Sequence, residues 1–320
     1  MIERNPALPD HFLVLERHES FGEYARAYGD RLAEHYERHG VIVVPHVPIA
    51  FDRDFLDTLT FPPQWKKIGT INGIEQPLVV RQGQGFAFSE THPFARALGS
   101  IKAALYLQQQ IFAFNAQLRH GMSVLFPRYL SLREGNITWR LTETREEGMH
   151  FDVFHAGAPL PPKGRSLHRL KIFINIDDLP REWRTSLDMP GVLKARRGRL
   201  PDELPDDMNV VADVIDKFGV LKDLPAHTLL YPAMSAVIAN GETLAHEVVY
   251  GRRVVGGEFM CRKEDMLAPQ RLSHDCLRAW LEAAGYAVAA DAAAVAAKYA
   301  HLKGSYRRIQ EERAAAADAA

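Results

Sequence analysis

The chain has 320 residues, of which 47% are hydrophobic and 25% charged, and its 39 basic and 40 acidic residues give a net charge of −1. This composition is typical of a globular protein and excludes a disordered chain, and no lysine- and arginine-rich stripe indicates a nucleic-acid partner. Two cysteines, Cys261 and Cys276, are too few for a disulfide framework or a cysteine-based structural zinc site. The first residues lack an apolar signal core, and no apolar run reaches the roughly 18 residues of a membrane span, so we expect a cytoplasmic protein without integral membrane association.

Two helices and a strand are predicted in the first third of the chain. A helix over residues 20–39, stopped by a left-handed Gly40, is indicated by large side chains at a spacing of four, namely Tyr24, Tyr28, Leu32 and Tyr36. The β-branched run at residues 41–44 then predicts a short buried strand. A second helix is predicted over residues 94–119, with an apolar stripe formed by Leu98, Ile101, Leu105 and Phe112.

Short strand-like runs separated by Pro, Gly and Asp follow from about residue 122 to residue 265, and this texture predicts a sandwich or a barrel. Within it, the Pro-, Arg- and Asp-rich stretch 186–209 predicts a long loop, either a lid over a site or a surface insertion. The alanine-rich stretch 286–320 predicts a peripheral helix pair divided at Gly304.

The triplet His150-Phe151-Asp152 is the strongest chemical signal in the chain. Residues i and i+2 of a strand point to the same side, so His150 and Asp152 would face one pocket. His246, at the start of another strand-like run, would complete a set of two histidines and one carboxylate, which holds ferrous iron and leaves coordination positions open. Such triplets also arise by chance, so the alternative is three unrelated residues, with His246 a hydrogen-bonded core or surface histidine.

A 2-oxo acid co-substrate would need a cation for its far carboxylate. In the run 169–175 the odd positions share one face, formed by Arg169, Lys171, Phe173 and Asn175. A lysine in such a run is costly to bury unless an anion meets it, which makes Lys171, with Asn175 beside it, a candidate for cofactor binding. The alternative is that this face is exposed to solvent. Arg128 and Arg140, upstream of the triplet, are further candidates for anion binding.

These residues resemble the iron(II)- and 2-oxoglutarate-dependent dioxygenases. The helix 20–39 followed by residues 40–44 is similar to their entry into the fold, and residues 229–248 are similar to their late core strands. Within that superfamily, residues 126–185 resemble the bacterial 3-deoxy-D-manno-octulosonic acid (Kdo) hydroxylases. The matching pieces are 139–140, 150–154, 170–175 and 180–184, with a weaker match at 246–260.

The resemblance implies a mainly β fold with a double-stranded β-helix (jelly roll, cupin-like) core and with N- and C-terminal α-helices. Residues 1–268 would form the jelly-roll oxygenase domain with its N-terminal helices, and residues 269–320 a C-terminal helical extension packed on it or trailing from it. The family's iron ligands and catalytic residues would correspond to His150, Asp152 and His246.

The resemblance also implies Fe(II), 2-oxoglutarate and O2 as cofactor and co-substrates. Lys171 would bind the C5 carboxylate of 2-oxoglutarate, with Arg128 as a further pocket residue, and the substrate would meet Arg140, Arg181 and Trp183. Many members instead use an arginine about ten residues after the distal histidine. Position 256 is Gly here, so the alternative anchors are Arg252, Arg253 and Arg262.

We therefore expect an oxidoreductase that hydroxylates or otherwise oxidises a C–H bond of a polar small molecule, either a sugar acid or a biosynthetic intermediate. Desaturation and cyclisation stay open beside hydroxylation. The alternatives are a cupin-like metalloenzyme that does not use 2-oxoglutarate and a catalytically silent jelly-roll binding module.

Overall fold

The computed structural model describes residues 1–61, 95–96, 98–153, 158–306 and 308–309. Its strands are β1 (Ile2–Glu3), β2 (Phe12–Val14), β3 (Val41–Val44), β4 (Arg133–Arg140), β5 (Thr144–Arg145), β6 (Leu167–Asn175), β7 (Arg181–Asp188), β8 (Glu203–Pro205), β9 (His227–Tyr231), β10 (Ala236–Ala239), β11 (Leu244–Gly251), β12 (Val254–Arg262) and β13 (Ala287–Ala289). Its helices are α1 (Phe21–Tyr28), α2 (Arg31–Tyr36), α3 (Arg53–Asp57), α4 (Ile101–Leu125), α5 (Pro162–Arg165), α6 (Met189–Ala195), α7 (Met208–Lys217), α8 (Ser273–Ala283) and α9 (Ala292–Lys298).

A six-stranded mixed sheet and a five-stranded antiparallel sheet form the centre of the molecule. One has the strand order β2-β3-β10-β6-β12-β4, the other the order β1-β9-β7-β11-β5. Between residues 133 and 262 the chain passes back and forth between the two sheets, and neighbouring strands there pair antiparallel. Because Phe173 of one sheet and Trp183 of the other have ring centroids 6.2 Å apart, the two sheets face each other.

The alternation of side chains along β6 gives this strand two buried faces. Its even positions Leu170, Ile172 and Ile174 pack in one hydrophobic cluster with α4, whose buried residues include Leu107 and Ile111. Its odd positions point towards the second sheet, as the predicted pattern requires. The solvent-exposed alternative for this face is therefore wrong.

The predicted helix 20–39 is two helices, α1 and α2, separated at Gly29, which has φ 50°. The left-handed residue before β3 is His39, with φ 61°, rather than Gly40. Gly40 is needed for a different reason, since a Cβ there would lie 2.3 Å from Nε2 of His35. Close packing of the chain against His35, and not backbone handedness, therefore requires glycine at this position.

The second predicted helix is displaced towards the C-terminus. It begins at Ile101 after the cap Ser100, whose hydroxyl accepts a hydrogen bond from the backbone of Ala103, and it ends at Leu125. Residues 94 and 97 of the predicted range lie outside the described residues. Leu105 of the predicted stripe is 40% exposed, because the packed stripe runs instead through Ala104, Leu107, Ile111, Phe114 and Leu118.

The stretch 186–209, predicted as a loop, contains α6, β8 and the start of α7. Asp188 caps α6 by accepting a hydrogen bond from Gly191, and the helix buries Met189, Val192 and Leu193. This segment packs in a second hydrophobic cluster with Phe151 and residues of α7. The loop prediction is wrong for this segment, because helix capping and burial against other segments stabilise regular structure there despite its Pro-, Arg- and Asp-rich composition.

Residues after Pro269 contribute to that second cluster as well. Leu277 and Leu281 of α8 and Val295 of α9 pack there with Val210 and Val214 of α7. β13 pairs in parallel with β8, and helical residues resume directly after Gly304. Within the described ranges, no helix is long and apolar enough to cross a bilayer.

Candidate metal centre

His150 and His246 are brought together by backbone pairing. The backbone N–H of His150 donates to the carbonyl of His246 at 2.9 Å, and the reverse bond measures 3.0 Å. Two residues further on, the N–H of Asp152 donates to the carbonyl of Gly241 at 2.8 Å. The triplet is thus an extended segment laid along the start of β11, which places His150 and Asp152 on one side and His246 beside them.

The three side chains offer a ligand set for one metal ion. One ligand atom from each of His150, Asp152 and His246 lies within 4.8 Å of the others. Nδ1 of His150 is 2.7 Å from the carbonyl oxygen of Gly148, and Nδ1 of His246 is 2.9 Å from that of Leu244. Since a carbonyl only accepts, both Nδ1 atoms carry the proton, and both Nε2 atoms are left with a lone pair for a metal.

The protonation states of His246 and Asp152 also suit metal binding. Burial lowers the pKa of His246 to about 4, so its imidazole is neutral at pH 7. Burial alone would raise the pKa of Asp152, but the adjacent Lys171 ammonium and the two histidines hold it well below its usual range. A neutral imidazole and an ionised carboxylate are donors that suit a divalent transition metal.

A cavity of about 610 Å³ opens beside this cluster. Of the predicted residues, His150, Asp152, His246, Arg140, Arg181 and Trp183 line it. Phe173 and Val248 add apolar surface from the two sheets. The structure therefore brings the predicted ligands and the three predicted substrate residues to one cavity.

Arg181 is a fully buried cation that lines this cavity. It is 2% exposed, and the Tyr231 side chain hydrogen-bonds to its guanidinium. Burial lowers the pKa of Arg181, although the guanidinium stays charged. A Cβ on Gly251 would lie 2.2 Å from Nη1 of Arg181, so glycine is needed there to admit the side chain.

Lys171 contacts Asp152 directly. Its Nζ is 2.7 Å from Oδ2 of Asp152, and it is not among the described residues that line the cavity. Asn175 is also buried away from the cavity, where its side-chain amide donates to the carbonyls of Leu179 at 2.9 Å and Tyr231 at 3.2 Å. The polar groups of Lys171 and Asn175 therefore bind other residues of the protein and do not line the cavity.

The remaining candidate anchors lie elsewhere. The Arg128 side chain is 55% exposed, with Nη1 3.9 Å from Oδ2 of Asp30. Arg252 forms two hydrogen bonds with the Asp177 carboxylate, at 2.6 and 2.7 Å, and Arg253 pairs with Asp57. Arg262 is exposed at the end of β12. The structure thus places none of these four arginines in the cavity.

Several cavity residues were missed by the sequence analysis. On α7, Asp213 and Lys217 form an ion pair of 2.7 Å with side chains only 10% and 9% exposed. The ring centroid of Tyr306 lies 4.2 Å from that of His150. The Tyr306 hydroxyl donates a hydrogen bond to Oε1 of Glu147, and the same oxygen lies 3.6 Å from Nη1 of Arg140. The i,i+4 spacing of Asp213 and Lys217 was a usable local signal. Tyr306 gave none, because only folding brings the C-terminal stretch to His150.

The fold is that of non-heme Fe(II)- and α-ketoglutarate-dependent dioxygenases of known structure. The crystal structure of the Kdo hydroxylase KdoO with α-ketoglutarate and Fe(III) matches with a TM-score of 0.58 and 19% identity, covering 85% of this chain and 96% of that one. Its complex with cobalt(II) matches with a TM-score of 0.57 and 19% identity, over 88% and 98% of the two chains. No family model and no curated protein matches the sequence. The resemblance expected from residues 126–185 is confirmed at the level of the fold.

Proposed function

We propose that the protein is a non-haem iron(II)- and 2-oxoglutarate-dependent dioxygenase with a double-stranded β-helix core. The observation that carries the proposal is the ligand set of His150, Asp152 and His246 at one wall of a cavity that also contains the buried guanidinium of Arg181. The interleaved strand order of the two facing sheets and the fold shared with KdoO support it.

The ligand set would hold ferrous iron through Nε2 of both histidines and a carboxylate oxygen of Asp152. When bound, iron in such a set supplies the activation of dioxygen, coupled to the oxidative decarboxylation of 2-oxoglutarate to succinate and CO2. The chain itself fixes the donors: the carbonyls of Gly148 and Leu244 keep the Nδ1 protons in place, and Gly241 sets the position of Asp152. The surrounding apolar side chains, Phe173, Trp183 and Val248, exclude water.

Arg181, rather than Lys171, is assigned to the C5 carboxylate of 2-oxoglutarate. Arg181 is buried and faces the cavity, its guanidinium presents two parallel donors to a carboxylate, and the Tyr231 hydroxyl lies beside it. Lys171 already binds Asp152. The C5 carboxylate would also compensate the positive charge of the Arg181 guanidinium, which is otherwise costly to bury.

The substrate is assigned to the polar wall formed by Arg140, Glu147, Asp213, Lys217 and Tyr306. Paired charges and a phenol hydroxyl offer both donors and acceptors to a hydroxylated molecule, which fits a polar small molecule such as a sugar acid or a biosynthetic intermediate. Oxidation of a C–H bond of that molecule is the reaction that we propose.

The test is an anaerobic titration of the ferrous protein with 2-oxoglutarate, monitored by the weak visible charge-transfer band of the chelate. We expect the band in the wild type, its loss in His150→Ala, and an apparent Kd for 2-oxoglutarate raised at least tenfold in Arg181→Met, the scale of a lost charge-assisted bond. Arg128→Met is the matched control and leaves the titration unchanged, because Arg128 lies outside the cavity. Bound iron without a band would favour a cupin-like metalloenzyme, and no bound iron would favour a silent binding module.

A further inference from the structure

The carboxylate of Asp152 contacts the ammonium group of Lys171. Nζ of Lys171 lies 2.7 Å from Oδ2 of Asp152, and the two side chains are 15% and 26% exposed. Oδ2 is also the oxygen that approaches Gly241, where a Cβ would lie at 2.0 Å. Lys171 on one side and the glycine backbone on the other therefore confine the same carboxylate oxygen.

Lys171 is itself held by the six-stranded sheet. Its neighbour across β12 is Glu258, whose Oε2 is 4.0 Å from Nζ. Its backbone N–H donates to the Tyr36 hydroxyl at 3.3 Å, and that hydroxyl donates to the carbonyl of Arg169 at 2.7 Å. The ammonium thus lies between two carboxylates on a strand that is buried on both faces, which limits the positions that it can adopt.

We propose that Lys171 is a positioning residue for the metal-binding carboxylate of Asp152. It restrains the carboxylate through Oδ2, the same oxygen that lies 3.9 Å from Nε2 of His246, and so holds Asp152 beside the histidine ligands. The inference rests on the proposed function only in that Asp152 is a metal ligand. It assigns Lys171 and Arg181 to different steps: Lys171 supports binding of the metal, whereas Arg181 supports binding of the co-substrate.

The two roles are separated by measuring metal and co-substrate binding independently. Co(II) binding is followed by calorimetry and by the visible Co(II) spectrum without 2-oxoglutarate, and 2-oxoglutarate is then titrated into the Co(II)-saturated protein. We expect Lys171→Met to weaken Co(II) binding about 10–100-fold, the usual effect of removing a partner of a metal ligand, and to change the spectrum. Arg181→Met leaves Co(II) binding unchanged and weakens only the second titration.

Lys171→Arg, which keeps a charged donor, is expected to restore most of the Co(II) affinity, and Lys171→Gln serves if the methionine variant does not fold. Unchanged or tighter Co(II) binding in folded Lys171→Met, with loss confined to the 2-oxoglutarate titration, would overturn the proposal and return Lys171 to the co-substrate. Failure of the wild-type protein to bind Co(II) or Fe(II) would instead refute the proposed function.

Discussion

Gly241 determines where the Asp152 carboxylate lies, although it contributes no side chain. Its carbonyl accepts the backbone N–H of Asp152, and its missing Cβ leaves the space that Oδ2 fills. The same virtual Cβ would also lie 2.8 Å from Cε1 of His246. One turn before β11 is therefore shaped around two of the three proposed metal ligands.

Gly241→Ala tests this directly. The added methyl group must displace Asp152, so we expect Co(II) affinity to fall at least tenfold while the protein remains folded, because φ at this position is not left-handed. Calorimetric titration with Co(II), together with the melting temperature, measures both effects.

Gly198→Ala is the control for that experiment, since a Cβ at Gly198 meets nothing within 4 Å. It should bind Co(II) like the wild type. Equal Co(II) affinity in both alanine variants would show that the Asp152 carboxylate adjusts freely, contrary to the role given to Gly241.

For single residues, the sequence predicted the direction of a side chain better than it predicted which residue that side chain contacts. The two-residue period correctly placed His150 and Asp152 on one face and directed Lys171 to the interior. It did not identify the anion that Lys171 meets, because Asp152 is 19 residues away in the chain and contacts β6 only after folding. The same limit left Arg181 among the substrate residues rather than beside Tyr231.

Helix α7 contributes Ala212, Asp213, Asp216 and Lys217 to the cavity wall. Its first turn is fixed by Asp207, whose Oδ1 accepts from the N–H groups of Asn209 and Val210, each at 3.1 Å. Oδ2 accepts from Leu160 at 3.0 Å and pairs with Arg165 at 2.5 Å. One fully buried carboxylate thus joins the helix cap to two other segments of the chain.

Asp207→Ala is expected to lower the free energy of unfolding by about 2–3 kcal/mol, because it removes a helix cap and leaves the buried backbone N–H of Leu160 without its acceptor. Asp291→Ala removes the cap of α9, where the exposed carboxylate accepts from the backbone N–H groups of Ala293 and Ala294, and should cost about 1 kcal/mol. Urea denaturation compares the two, and similar losses would show that the buried contacts of Asp207 add nothing to the cap.

Over the whole molecule, buried histidines link stability to pH. His168 lies between the rings of Tyr36 and Tyr129 at centroid distances of 5.4 and 5.5 Å, and burial lowers its pKa to about 3. Burial similarly lowers the pKa of His11 and of His274 to about 4. Below pH 6.5 these histidines bind protons in the unfolded chain that they do not bind in the folded protein, so their contribution to stability is full above that pH and falls as the pH decreases.

His168→Phe should flatten this dependence. The phenyl ring keeps the contacts with Tyr36 and Tyr129 but cannot be protonated, so the loss of unfolding free energy between pH 6.5 and 5 should shrink by about 2 kcal/mol at most. Urea midpoints at several pH values provide the measurement. The same replacement at the exposed His301 is the control, and an equal flattening there would refute the assignment to burial.

The sequence by itself indicated the triplet, the face that its two ligands share, and a strand-rich region between helical segments, because these depend on local periodicity and composition. Tertiary structure alone decided that residues 186–209 form packed helices, that Arg181 faces the cavity while Arg128, Arg252 and Arg253 pair elsewhere, and that Tyr306 lies on His150. Those outcomes depend on contacts between segments far apart in the chain, and the free energy of such contacts is absent from any local pattern.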